Sequence, residues 1–220
     1  MKISTGSPAL DTLLDGGIES DALSLLYGEA GTGKTNLCLQ LTRNVAKTGL
    51  RVIYIDTEGV SFDRFRQICG VDFEAVTKKV LFFRPYSFEE QEKQVDEAIK
   101  VAMGVDDIGI VILDSATVFF RLKQGEVDQG RSSLSYQIIR LLTLARRKNI
   151  AVLITSQVYF NIEHQEIRPL GGHTLTHNAK TIVFLEKIDT RRRRATIMKH
   201  RAIHEGEGKL FTLTAKGVED

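Results

Sequence analysis

Thiols are scarce, charge of one sign is not in excess, and long apolar runs are missing. Cys38 and Cys69 are the only cysteines in 220 residues. Both lie in apolar periodic segments, a setting for buried thiols in a reducing compartment rather than for a bridge. No run of about 18 apolar residues occurs, and the N-terminus MKISTGSPALD lacks an apolar signal region. A cytoplasmic chain without a membrane span is therefore expected. The formal net charge of +2 does not by itself imply a nucleic-acid partner; only the distribution of charge could. No internal repeat or low-complexity tract is present. The nearest thing is the arginine run Arg191, Arg192, Arg193 and Arg194. Hydrophobic residues at 42% and charged residues at 26% suit one α/β domain over 1–220 with a full core.

What is present is an alternation of short apolar strands with amphipathic helices. LSLLYG reads as a buried strand; Leu37, Leu41 and Val45 then recur at helical spacing up to Gly49. RVIYIDT, KVLFFRP, IGIVILDS and IAVLITSQ read as further strands. SFDRFRQICG and SFEEQEKQVDEAIKVAMG read as helices, the second opening with Ser87 and Glu90 at capping-box spacing. Leu134, Ile138, Leu141 and Ala145 mark another helix. Continuous apolar strands between such helices predict a mainly parallel, twisted sheet covered on both faces. The tail segments AKTIVFLEKID, RATIMKHR and KLFTLTAKG follow without helices between them. They predict a C-terminal antiparallel extension, with DTRRR and HEGEG at its turns. Two long stretches poor in apolar residues, 123–131 and 159–172, read as loops.

The chemistry gathers around YGEAGTGKT. Gly28, four residues, then Gly33, Lys34 and Thr35 form a phosphate-binding loop pattern between a strand and a helix. Gly31 and Gly33 permit the tight turn that points backbone N–H groups inward, and the helix beginning at Lys34 adds its positive end. The loop Gly28, Glu29, Ala30, Gly31, Thr32 and Gly33 is expected to wrap the phosphates of ATP. Lys34 is expected to reach its outer phosphates, and Thr35 to ligand Mg2+. Asp114 ends an apolar strand, as an acid that holds Mg2+ through water does. Glu58, just past RVIYIDT, is placed to orient or deprotonate an attacking water. Asp56 is expected to support it. Gln157, ending LITSQ, offers an amide to the terminal phosphate.

STGSPALDTLLDGGIESDALSLLYGEAGTGKTNLCLQL, VIYIDTEG, VILDS, LITSQV, LGGHTLTHNAKTIVFLEK and EGEGKLFTLTAKGVED together resemble the ATPase core of the RecA/RadA recombinases. The resemblance spans nearly the whole chain and is most like the core-only archaeal paralogues. It implies a RecA-like fold that binds ATP, Mg2+ and DNA, with two DNA loops after the Asp114 and Gln157 strands. By motif position it makes Lys34 and Thr35 the phosphate-loop pair, Asp114 the metal acid, Glu58 the catalytic glutamate and Gln157 the γ-phosphate sensor. It sets His177 between the second DNA loop and the nucleotide. Arg64 is its candidate for stacking on adenine. Full recombinases carry an N-terminal helical DNA-binding domain and a linker whose phenylalanine docks on the next subunit. The chain begins almost at the core, so neither is expected. In the paralogues this goes with weak ATPase activity, little strand exchange, and association with a full RadA-type recombinase and other recombination proteins. A homodimer is left open.

Residue-level support for DNA is thinner. Arg191 to Arg194, with Lys199 and Arg201, would make a basic patch at a hairpin tip, which serves phosphates or keeps a sheet edge solvated. Arg121, Lys123 and Arg131 flank the first loop, and Phe160 could stack on a base or fill a core gap. His173 and His177 lack a third ligand at metal spacing, which speaks against zinc. A nucleotide-gated scaffold with negligible hydrolysis is the alternative. A small-molecule kinase would need an arginine-rich lid, and none is visible.

Overall fold

The computed structural model describes residues 1–122, 127–162 and 165–220. Its centre is a nine-stranded sheet. Six strands run parallel: β3 (Ala22–Gly28), β4 (Arg51–Asp56), β5 (Val80–Phe83), β6 (Ile108–Asp114), β7 (Ala151–Ser156) and β10 (Thr181–Lys187). Beyond β10 the sheet continues antiparallel through β11 (Arg192–Lys199), β12 (Gly208–Thr214) and β13 (Gly217–Glu219). The spatial order is β13-β12-β11-β10-β3-β7-β6-β4-β5. The chain thus has the mainly parallel sheet with an antiparallel C-terminal extension that its sequence predicts.

Both faces are covered, which explains the unbroken apolar strands. Val52 and Tyr54 of β4, with Ile110 and Ile112 of β6, pack into one core with α2 (Lys34–Lys47), α3 (Phe62–Cys69) and α1 (Pro8–Leu13). Ile53, Ile55, Val111 and Leu113 face the other core with α5 (Phe88–Gly104), α7 (Val127–Lys148) and α8 (Gly172–Asn178). Cys38 and Cys69 are free and buried. Serine side chains cap the starts of α1, α3 and α5. The Ser87 hydroxyl accepts from Glu90 N at 3.1 Å, and the Glu90 carboxylate accepts from Tyr86 N at 2.8 Å.

Two expectations change, and short elements are added. The helix expected near Leu134 begins at Val127, so much of the first long stretch is helical rather than loop. A short α6 (Val118–Leu122) precedes it. The second stretch holds a two-stranded ribbon, β8 (Val158–Asn161) against β9 (Glu166–Pro169). The N-terminus adds β1 (Lys2–Ile3) paired with β2 (Ile18–Glu19), and a small helix α4 (Phe73–Thr77) precedes β5. Among the described residues, no helix is long and apolar enough to cross a membrane.

Candidate nucleotide site

The phosphate loop leaves β3 where two backbones nearly touch. A Cβ on Gly28 would lie 2.2 Å from the Leu185 carbonyl oxygen of β10, so no side chain fits there. Gly33 takes φ 102, a left-handed conformation open to glycine, and α2 starts at the next residue. The Arg193 Nε donates to Gly31 O at 3.0 Å, pinning the loop from β11. Lys34 is buried, and its Nζ donates to Gly28 O at 2.7 Å and Glu29 O at 3.0 Å. Thr32 Oγ1 donates to Glu29 O at 2.9 Å. Burial lowers the Lys34 pKa, and the carboxylates of Glu58 and Asp114 oppose that shift. The loop opens on a cavity of about 460 Å³ walled also by Thr35, Glu58, Arg121 and Gln157.

On the opposite wall, Glu58 and Gln157 follow the carboxyl ends of β4 and β7, the strands on either side of β6. Asp114 is 1% exposed and lies behind the cavity wall. Its Oδ2 accepts from the Tyr54 hydroxyl at 2.7 Å and its Oδ1 from Thr155 Oγ1 at 2.6 Å. Burial, then the Asp114 charge, pushes the Tyr54 phenol well up, so it stays a donor. Asp56 accepts from Gly59 N at 2.9 Å and Val60 N at 2.8 Å, which folds the turn that presents Glu58. Thr57 bridges to Ser115, stitching β4 to β6 beside it. Burial and the Asp114 carboxylate raise the Glu58 pKa; a hydrogen bond from Gln157 and the Lys34 charge pull it down. That bond runs from Gln157 Nε2 to Glu58 Oε1 at 3.2 Å.

The donor set fits magnesium triphosphate. A glycine-rich loop at a helix start, a buried ammonium, the Thr35 hydroxyl and a hydrogen-bonded carboxylate suit an anion with a hard cation. Tyr54 and Thr155, the residues that hold Asp114, were not singled out by sequence reading. Tyr54 lies in β4 beside β6, paired with Ile112. A lone tyrosine among aliphatic strand residues was the available signal.

The other expected residues scatter. Arg64 donates to Asn36 Oδ1 at 2.8 Å, Thr214 O at 2.6 Å and Ala215 O at 3.0 Å, tying α3 to α2 and the end of β12. His177 stacks on His173 with ring centroids 5.0 Å apart and does not wall the nucleotide cavity. Arg131 borders a second cavity of about 580 Å³ with Phe120, Tyr159 and His173. Phe160 is 59% exposed on β8. Lys123 lies outside the described residues.

The basic patch is not one surface. Arg193 is 7% exposed and turns inward to the phosphate loop. Arg192 pairs with Asp189, whose carboxyl is held at about 2 by the N–H groups of Arg192 and Arg191. Arg191 and Arg194 are exposed. Lys199, at the other end of β11, donates to Thr176 O at 3.0 Å at the end of α8. Arg201 lies 3.8 Å from Glu19. Strand alternation and the length of β11 divide what the sequence lists side by side.

Comparison with known proteins adds a second line of evidence. A family model described as Rad51 matches residues 1–220. The DNA repair and recombination protein RadB of Methanococcoides burtonii is 46% identical over 212 residues, covering 95% of this chain and 93% of its own length. RadB of Thermoplasma acidophilum is 39% identical over 218 residues, covering 99% and 93%. A solved structure described as the crystal structure of the RadB recombinase superposes with a TM-score of 0.85. Its identity is 31%, with 99% of each chain covered.

Proposed function

The chain belongs to the Rad51 family, and from that premise we propose that it is an ATP- and DNA-binding accessory of homologous recombination and DNA repair. In this reading Lys34 and the loop 28–35 hold the phosphates, while Thr35 and Asp114 hold Mg2+. Bound magnesium would offset phosphate charge during hydrolysis. Glu58 takes the proton of the attacking water, and Gln157 orients Glu58 and meets the terminal phosphate. Turnover is slow and strand exchange slight, and a full RadA-type recombinase is the working partner.

One observation carries the reading: Lys34, Thr35, Glu58 and Gln157 wall a single cavity, with Asp114 buried behind it. Such a cluster at the carboxyl edge of a parallel sheet is where phosphate ligands bind. The DNA half draws support from the names of the RadB relatives and from Arg131, Tyr159 and Phe160 near the β8–β9 ribbon. Filter binding of single- and double-stranded DNA, with and without Mg–ATP, tests it. Binding that weakens steeply between low and moderate salt is expected. Absence of salt-dependent binding to either form rejects the DNA role.

A further inference from the structure

Arg121 was expected to flank a DNA loop, yet its side chain walls the nucleotide cavity. Lys34 and Arg121 are the two cations on that wall among the described residues. They arrive from different directions. Lys34 rises from the phosphate loop and is already bound to its carbonyls. Arg121 stands on α6 beside Gln157, which in turn bonds Glu58.

The Arg121 Nη1 lies 3.5 Å from Gln157 Oε1. That is long for a guanidinium, whose bonds to oxyanions settle at about 2.7–2.9 Å. Such a contact is readily exchanged for a stronger acceptor. Attack of water from Glu58 requires the terminal phosphate beside this same pair of residues. A diphosphate lacks that group, so a cation beside Gln157 and Glu58 makes a contact open to the triphosphate alone, whereas Lys34 also serves the inner phosphate. A planar guanidinium can also take two phosphate oxygens at once, which an ammonium cannot.

We propose that Arg121 binds the terminal phosphate and sets the preference of this site for a nucleoside triphosphate over a diphosphate. The proposal rests on the nucleotide-site reading above and goes beyond it in assigning the discriminating contact.

Calorimetric titration of the whole chain with a non-hydrolysable Mg–ATP analogue and with Mg–ADP tests it. Arg121→Ala should weaken the triphosphate analogue by about 10- to 100-fold while leaving ADP affinity unchanged. Arg121→Lys should recover part of the loss. Retained ADP binding also certifies the fold of each variant. Equal weakening of both nucleotides, or of neither, in folded Arg121→Ala and Arg121→Lys overturns the proposal. An unaltered chain that binds neither nucleotide overturns the site reading along with it.

Discussion

Glu58 shows how a side chain exposed at a cavity mouth is still tuned by its neighbours. Its pKa is raised, chiefly by burial and then by the neighbouring Asp114 carboxylate. A general base works as the carboxylate, so the low-pH limb of ATP turnover should lie above the ordinary glutamate range. The stability consequence has a definite sign. A raised folded pKa gives a contribution that is present below the unfolded pKa and lost as pH rises through the folded one. Glu58 is exposed at the cavity mouth, so solvent screens it and that contribution is small. Glu58→Gln should cut turnover by about 10²- to 10⁴-fold, keep Mg–ATP binding, and melt close to the unaltered chain at pH 7. Steady-state kinetics and a thermal melt check both halves; a clear fall in Tm would contradict a role confined to the site. The reading of Glu58, Lys34 and Asp114 as candidates was available from local pattern alone, because each sits at a strand end or in a compact motif. Tyr54 and Thr155 were not, because their partnership with Asp114 depends on which strands lie side by side.

Among the elements, legibility follows burial. Strands β3, β4, β6 and β7 have two covered faces, so each is an apolar run that announces itself. Among the described residues the β8–β9 ribbon pairs only with itself, and it is half exposed, so burial imposes no two-residue period on it. The β11 arginines misled for a related reason. Their register places Arg193 under a loop 162 positions earlier in the chain, a contact no local pattern encodes. Helix α2 depends on another long-range tie. Gln40, 1% exposed, donates to Thr5 O at 2.9 Å and Val218 O at 3.0 Å and accepts from Val218 N at 2.8 Å. It thereby joins the N-terminal segment and β13 to the helix that supports the phosphate loop. Gln40→Leu would leave those backbone groups buried without partners. Urea unfolding should show a loss of about 2–4 kcal/mol. An unchanged midpoint would mean that the three bonds contribute nothing net.

Over the whole molecule, strand order does what no motif can. The sequence β3-β7-β6-β4 sets the phosphate loop, Gln157, Asp114 and Glu58 along one edge of the sheet. They come from four separate stretches of chain, yet they meet around one cavity because the strands between them are parallel and adjacent. The alternation of strands and helices was legible in the sequence, and so was the antiparallel tail. The order of the strands was not legible, because it depends on pairings between segments far apart in the chain. The account stands or falls on that edge holding Mg–ATP. Calorimetry of the unaltered chain and of Lys34→Ala against Mg–ATP is the most direct trial. Saturable heat from the first and none from the second is the predicted result. Heat of equal size from both, or from neither, would contradict it.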